Sequence, residues 1–258
     1  MRKLLLLCYP GERNVNELPQ VRAVIERYRN YFQSPVGGFW GNYEIITEPQ
    51  TLNYIEETVW ISSTLQTLNN PMFNYTMIVF VGHGGIINQE DHIQLPKGTL
   101  LPLSQLLAPV DAVDRIKRTI IIDACRSFVG STQHQLILEQ RQYSEEEKLI
   151  GIRCRDFYNR KIAEIAPHVD LIQSTAYGDV AHATPIGSAY SDAFFETITS
   201  QVSQWNANAM AFEPKELYLS NYELFNQTVS RMGSYNQFPQ ISQIGNGEFF
   251  PMYAVKRD

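Results

Sequence analysis

Cysteine is scarce in this chain, with three in 258 residues, at positions 8, 125 and 154. They show no metal-ligand spacing and leave an odd thiol over, so neither a metal site nor a disulfide framework is indicated. That usage fits a reducing cytoplasm and no structural disulfide. No apolar run reaches the roughly 20 residues of a membrane span. The N-terminal run Leu4-Leu5-Leu6-Leu7 stops at Tyr9-Pro10-Gly11. It lacks a full apolar core and a small-residue cleavage site, so it reads as a first buried strand and not as a signal peptide. Low-complexity segments and internal repeats are absent. So are a G-x-S-x-G elbow, an H-E-x-x-H helix, a phosphate loop and a dinucleotide-binding glycine fingerprint, which excludes the commonest hydrolase and nucleotide-binding signatures. A cysteine phosphatase would carry Arg six residues after its nucleophile, and position 131 is Ser. The net charge of −6 argues against a nucleic-acid partner.

What is present is a sizeable apolar fraction, 44% hydrophobic and 12% aromatic, enough for one large domain or two small ones. Strands are expected at Leu4 to Tyr9, Tyr43 to Thr47, Met77 to Val81, Thr119 to Ile122 and Asp170 to Ala176. Apolar residues at helical spacing predict helices over Val15 to Phe32, from Thr51 to Leu68, over Leu103 to Val110, Ser188 to Trp205 and Leu217 to Met232. In the second of these, Leu52, Ile55, Val59, Ile61 and Leu65 form the expected buried face, with Glu56 and Glu57 outside. A small hairpin is expected around Pro96-Lys97-Gly98. The stretch from Val129 to Pro167 is long and polar, with helical parts and a mobile-looking start. Gln240 to Val255 is expected to close the sheet. Strands alternating with helices predict a mainly parallel α/β sheet covered on both faces. The ligand site of such a sheet lies beyond the C-terminal ends of its strands.

Two strands end in chemistry-bearing residues. Met77 to Val81 runs into Gly82-His83-Gly84-Gly85, and Thr119 to Ile122 runs into Asp123-Ala124-Cys125-Arg126, 42 residues further on. If the strands are neighbours, an imidazole and a thiol meet. A thiol attacks a carbonyl as thiolate, and an adjacent imidazole takes its proton and later gives one to the leaving group. The Gly84 and Cys125 N–H groups could together stabilise an oxyanion, a term of roughly 3–4 kcal/mol per donor. Taken singly, each feature has a plain structural explanation. A strand-end cysteine is most often a small core hydrophobe, and Gly-His-Gly is often only a turn. Their joint placement is what favours catalysis. His92, His134, His168 and His182 follow no strand of this kind; Cys8 reads as a core residue, and Cys154 as lying on a polar helix with no nearby histidine.

D-A-C-R-S at 123–127, with G-H-G-G at 82–85 upstream, resembles the caspase-like cysteine peptidases, whose motif is Q-A-C-[RQG]-G with a histidine about 50 residues earlier. Asp123 and Ser127 depart from that pattern and point to the prokaryotic metacaspase and orthocaspase-like branch, whose motif reads D-x-C. Ser174 to Ala181, the helix start at Ser191-Asp192-Ala193-Phe194-Phe195 and the ending from Pro239 to Val255 also resemble that branch, so the likeness runs nearly the whole length. It implies a caspase-like fold over residues 1–258, with a sheet of about six strands and helices on both faces.

The resemblance further implies that Cys125 is the nucleophile and His83 the general base and acid, with Gly84 and Cys125 as oxyanion donors. Asp123 would form the floor of a pocket for an Arg or Lys side chain, a physically apt choice because an unpaired buried charge is costly. Asp179 is either a second pocket acid or a turn aspartate. Ser174, Thr175 and Tyr177 would line the wall, and Arg126 would be structural. The polar stretch 129–160 is either a linker cut by the enzyme itself at a basic residue, making the chain a zymogen, or a solvated helical insertion. No cofactor or resident metal is implied; calcium activation is a soft expectation, with no dedicated loop for it. Partners would be protein substrates and an activating protein or protease, in a cytoplasmic stress or antiphage pathway, without nucleic acid or membrane. The competing reading from another class is a caspase-like scaffold whose dyad does not turn over.

Overall fold

The structure, a computed structural model, describes residues 1–12, 16–107, 109, 112, 114–125, 144–179, 181–207, 216–233 and 235–256, with Cys125 described by its backbone alone. In chain order the elements are β1 (Arg2–Tyr9), α1 (Gln20–Gln33), β2 (Ile45–Thr47), α2 (Tyr54–Leu68), β3 (Tyr75–Ile87), β4 (Glu90–Gln94), β5 (Leu100–Pro102), α3 (Leu103–Leu106) and β6 (Lys117–Cys125). Then follow α4 (Glu145–Glu164), β7 (His168–Gln173), α5 (Ala189–Ala207), β8 (Glu216–Ser220), α6 (Asn221–Met232), β9 (Gln240–Ile244) and β10 (Pro251–Lys256).

The main sheet has the strand order β2-β1-β3-β6-β7-β9. Its first five strands are parallel, and β9 joins β7 antiparallel at the edge. This is the mainly parallel α/β architecture expected. Alternation along the central strands sends side chains to two separate cores. Leu4, Leu6, Met77, Val79, Val81, Ile121 and Ile172 pack with α1, α4, α5, α6 and β10. Leu5, Leu7, Ile78, Phe80, Ile120 and Ile122 pack on the other face with α2, α3 and the β4–β5 hairpin. Each fully buried aliphatic side chain contributes about 1.5–3 kcal/mol. The unbroken apolar runs of β1, β3 and β6 thus reflect burial on both faces.

The structure corrects the sequence reading at several elements. Helix α1 begins at Gln20, since Pro19 occupies its N-cap and the Leu18 N–H is drawn back to the Pro10 carbonyl. Helix α2 begins at Tyr54 and not at Thr51, because Asn53 and Glu56 form a reciprocal capping box. Its buried face is Glu57, Ile61, Thr64, Leu65 and Leu68, while Ile55 and Val59 are exposed. Glu57 is fully buried because its carboxylate accepts the Lys97 and Thr99 N–H groups at 2.7 and 3.2 Å and so holds the hairpin turn. The segment expected as one helix from Leu217 divides at Ser220. Leu217 and Leu219 belong to β8, and Ser220 with Glu223 caps α6. Only β9 extends the main sheet at the C-terminal end, whereas β10 pairs with β8 in a separate two-stranded sheet. The first part of the polar stretch, residues 126–143, lies outside the described residues; α4, opened by a Ser144–Glu147 capping box, fills its second part.

Candidate active site

The strand β3 runs beyond Val81 through Gly82-His83-Gly84-Gly85 and turns into an antiparallel hairpin with β4. Gly82 is required there. Its φ is +148°, and a Cβ would fall 2.3 Å from the Tyr9 carbonyl of the neighbouring strand. Strands β3 and β6 are adjacent and parallel, in a register that makes Val81 face Asp123, Gly82 face Ala124 and His83 face Cys125. The structure thus places the expected histidine and cysteine side by side at the C-terminal edge of the sheet. The Cys125 side chain and Arg126 lie outside the described residues.

His83 is buried, with Tyr9 against it edge-on at a ring distance of 5.7 Å. Its Nε2 lies 2.8 Å from the Asn16 carbonyl oxygen. A carbonyl can only accept, so Nε2 carries the proton and donates, and a neutral ring then has Nδ1 as its basic nitrogen. The carbonyl is delivered by the turn after β1. There Glu12 N donates to Asn16 Oδ1 at 2.7 Å and Leu18 N donates to Pro10 O at 2.5 Å. Gly11, with φ +93°, makes the approach possible; a Cβ on it would stand 2.4 Å from Asn16 O and 2.6 Å from His83 Nε2. Sequence reasoning did not find Asn16. The only signal was Pro10-Gly11 directly after an apolar strand, and the group that matters is a backbone oxygen with no residue preference of its own. Gly84 is half-buried, and a Cβ there would lie 3.1 Å from the Ala124 side chain and 3.0 Å from the His92 carbonyl.

Asp123 is 1% exposed, opposite Val81 and so two strand positions below His83. Ser188 Oγ lies 2.7 and 2.8 Å from its two oxygens and donates its single proton there. The same Ser188 caps α5, accepting the Ser191 N–H at 2.9 Å, while its own N–H donates to Ser191 Oγ at 2.9 Å. The carboxylate therefore faces the positive end of a 19-residue helix. Ser174 is buried beside it and also favours the ionised form, although its Oγ completes no well-aligned hydrogen bond. Burial dominates all the same and pushes the Asp123 carboxyl up to about 6, with the Asp192 charge adding in the same direction.

The remaining expected residues sit further out. Ser174 N donates to Ile122 O and Gln237 Nε2 donates to Ser174 O, so Ser174 is pinned between β6 and the 235–238 segment. Asp179 closes the turn that begins at Ala176, its N–H on the Ala176 carbonyl and its carbonyl receiving the Thr175 hydroxyl. Tyr177 in that turn is largely exposed. Ser188 and Ser191 were missed as site residues. A serine pair three apart at a helix start is an N-cap signal, but nothing in the sequence says that this cap faces Asp123. Among the described residues no three His, Cys, Asp or Glu gather as metal ligands would, and no helix is long and apolar enough to cross a membrane.

A parallel sheet that sets an Asp-Ala-Cys strand end beside a Gly-His-Gly strand end defines a class, and comparison with known families agrees. The caspase domain model matches residues 32–250. The chain therefore belongs to the caspase-domain family of cysteine peptidases, whose substrates are proteins. Among solved structures, protein GSU0716 from Geobacter sulfurreducens is similar over 96% of this chain and 94% of its own, with TM-score 0.56 and 14% identity, a likeness of fold. No curated protein matches the chain in sequence.

Proposed function

We propose that this chain is a cysteine endopeptidase that cleaves protein substrates after Arg or Lys, with Cys125 as nucleophile and His83 as general base and acid. The Asn16 carbonyl holds His83 in the tautomer whose Nδ1 accepts the thiol proton, and the resulting imidazolium then protonates the leaving amine. Gly84 and Cys125 N–H groups receive the oxyanion. The observation that carries the specificity is Asp123: a carboxylate 1% exposed, two residues before the cysteine, whose hydrogen bonds among the described residues come from hydroxyls and not from a cation. Burying such a charge is costly, and a substrate guanidinium or ammonium offsets that cost. Ser174 and Ser188 form the pocket wall in this reading, with Tyr177 and Asp179 at its rim.

The reading includes a zymogen released by cleavage before α4, within a regulated stress or antiphage response. Lys148, Arg153, Arg155 and Arg160 lie on α4, whose Phe157, Tyr158 and Ile162 are core residues. Within 129–160 the remaining basic residue is Arg141, which precedes α4 in the sequence. Loss of a self-generated cut in Arg141→Gln and in Cys125→Ala, read by intact mass, is the expected result; an unaltered fragment pattern would remove the self-processing step. The main test is a peptide library scored for the residue before the cut, with and without calcium, for wild type and Asp123→Ala. Wild type is expected to turn over Arg and Lys peptides and Asp123→Ala to lose that preference. Preference for Asp, or none that depends on Asp123, would contradict the proposal.

A further inference from the structure

Away from the Cys125 edge, a cavity of about 790 Å³ opens between α1, the loop at residues 34–42, α4 and α5. Its volume is that of a small-molecule site. Among the described residues three arginines line it, Arg27 and Arg29 from α1 and Arg155 from α4, and no Asp or Glu does. In a chain of net charge −6, three guanidinium groups converging on one cavity are an unexpected concentration of positive charge.

Each arginine is oriented by a contact that leaves it donors for a ligand. Arg27 Nη1 donates to Asp192 at 2.7 Å, and its guanidinium lies 4.3 Å over the Phe195 ring, which is itself part of the wall. A guanidinium carries five N–H groups, so one bond to Asp192 does not exhaust it. Arg29 pairs with Glu26 at 3.0 Å, and that Glu26 is outside the wall. Arg155 donates from Nη2 to Glu44 at 2.9 Å and to the Tyr43 hydroxyl at 3.1 Å, and from Nη1 to the Phe39 carbonyl at 3.3 Å, which leaves Nε and one Nη1 N–H; Glu44 is already shared with the buried Arg2 at 3.3 Å. Two cations on one carboxylate leave a positive charge over, and Arg2 Nη1 is buried without a hydrogen-bond partner. Trp40, stacked 4.2 Å from the Arg2 guanidinium, also lines the cavity.

We propose that this cavity binds an oligophosphate anion, carried either by a nucleotide or as free polyphosphate. Planar guanidinium forks match phosphate oxygens pairwise. The site is independent of the peptidase reading. It is also connected to the Asp123 pocket: Asp192, held by Arg27, accepts the Thr184 hydroxyl in the loop that ends at Ser188.

The test is isothermal titration of the full chain carrying Cys125→Ala, with inorganic tripolyphosphate and, separately, with ATP. Saturable one-to-one binding of either probe is expected, weakened about tenfold or more in Arg29→Glu and in Arg27→Gln. The Arg29 change alters a half-exposed ion pair and is expected to leave the thermal midpoint near that of the parent. Binding of ATP but not of tripolyphosphate assigns the site to a nucleotide, and tripolyphosphate binding at least as tight as ATP assigns it to the phosphate chain. No saturable binding of either probe, or binding that both variants leave unchanged, overturns the proposal.

Discussion

If Asp123 is kept ionised for a substrate cation, the empty protein should be less stable for it. Burial raises its carboxyl from 3.8 to about 6. At about 1.4 kcal/mol per pH unit, that gap corresponds to about 3 kcal/mol of lost stability at neutral pH, an order-of-magnitude figure. The sign follows from proton binding. Above about 6 both folded and unfolded chains hold the carboxylate, and the folded one bears the full desolvation penalty. Between about 6 and 3.8 the folded state takes up a proton that the unfolded state does not, so the penalty shrinks as pH falls and is gone below 3.8. Asp123→Asn removes the charge and keeps the shape, and its amide N–H groups can donate to the Ser188 and Ser174 oxygens. In a Cys125→Ala background, urea unfolding should show the Asn variant about 1–3 kcal/mol more stable at neutral pH, with the difference closing as pH falls through 6 toward 3.8. An Asn variant less stable than its parent at neutral pH, or a difference that does not change with pH, would refute the reasoning.

Other predictions test separate parts of the structure. Glu57→Ala should cost about 2–3 kcal/mol in urea unfolding, since it strands the Lys97 and Thr99 N–H groups, whereas Ile55→Ala and Val59→Ala should stay within about 0.5 kcal/mol. His168→Ala should cost about 3 kcal/mol or more by the same measurement, because it removes one hydrogen-bond partner of the fully buried Asp170 and the ring stacked 4.1 Å from Phe250. Gly11→Ala should lower kcat/KM for an Arg peptide about 100-fold by displacing the Asn16 carbonyl from His83, while far-ultraviolet circular dichroism stays unchanged. A Gly11→Ala enzyme of wild-type activity would separate Asn16 from catalysis.

The parts of the fold legible in the sequence were those with a strong local signal. Met77 to Val81 and Thr119 to Ile122 are apolar without interruption, and sequential strands in an α/β sheet are usually adjacent, so their pairing followed. The hairpin around Pro96-Lys97-Gly98 announced itself by turn chemistry. What escaped depends on distant partners. Glu57 is buried only because two backbone N–H groups from residues 97 and 99 reach it, and helical periodicity counts a glutamate as solvent-facing. Leu217 and Leu219 could continue either a strand or a helix; β10 decides, although the Ser220 to Glu223 capping box marked the boundary. In the candidate site, His83, Asp123 and Cys125 stand out in the sequence by residue type and by position at strand ends. Asn16 acts through its carbonyl, and Ser188 acts on a strand 65 residues away, so neither left a local trace.

The central claim is that Cys125, beside His83, attacks carbonyls of substrates whose cationic side chain sits on Asp123. It is tested most directly by a peptidyl electrophile with Arg in the position before the reactive carbon, read by intact mass and peptide mapping. One stoichiometric adduct, mapped to Cys125, is expected, formed far more slowly in His83→Ala and in Asp123→Ala, and formed slowly in wild type by the matched Asp electrophile. An adduct on Cys8 or Cys154, faster labelling by the Asp compound, or a labelling rate indifferent to His83 would contradict it.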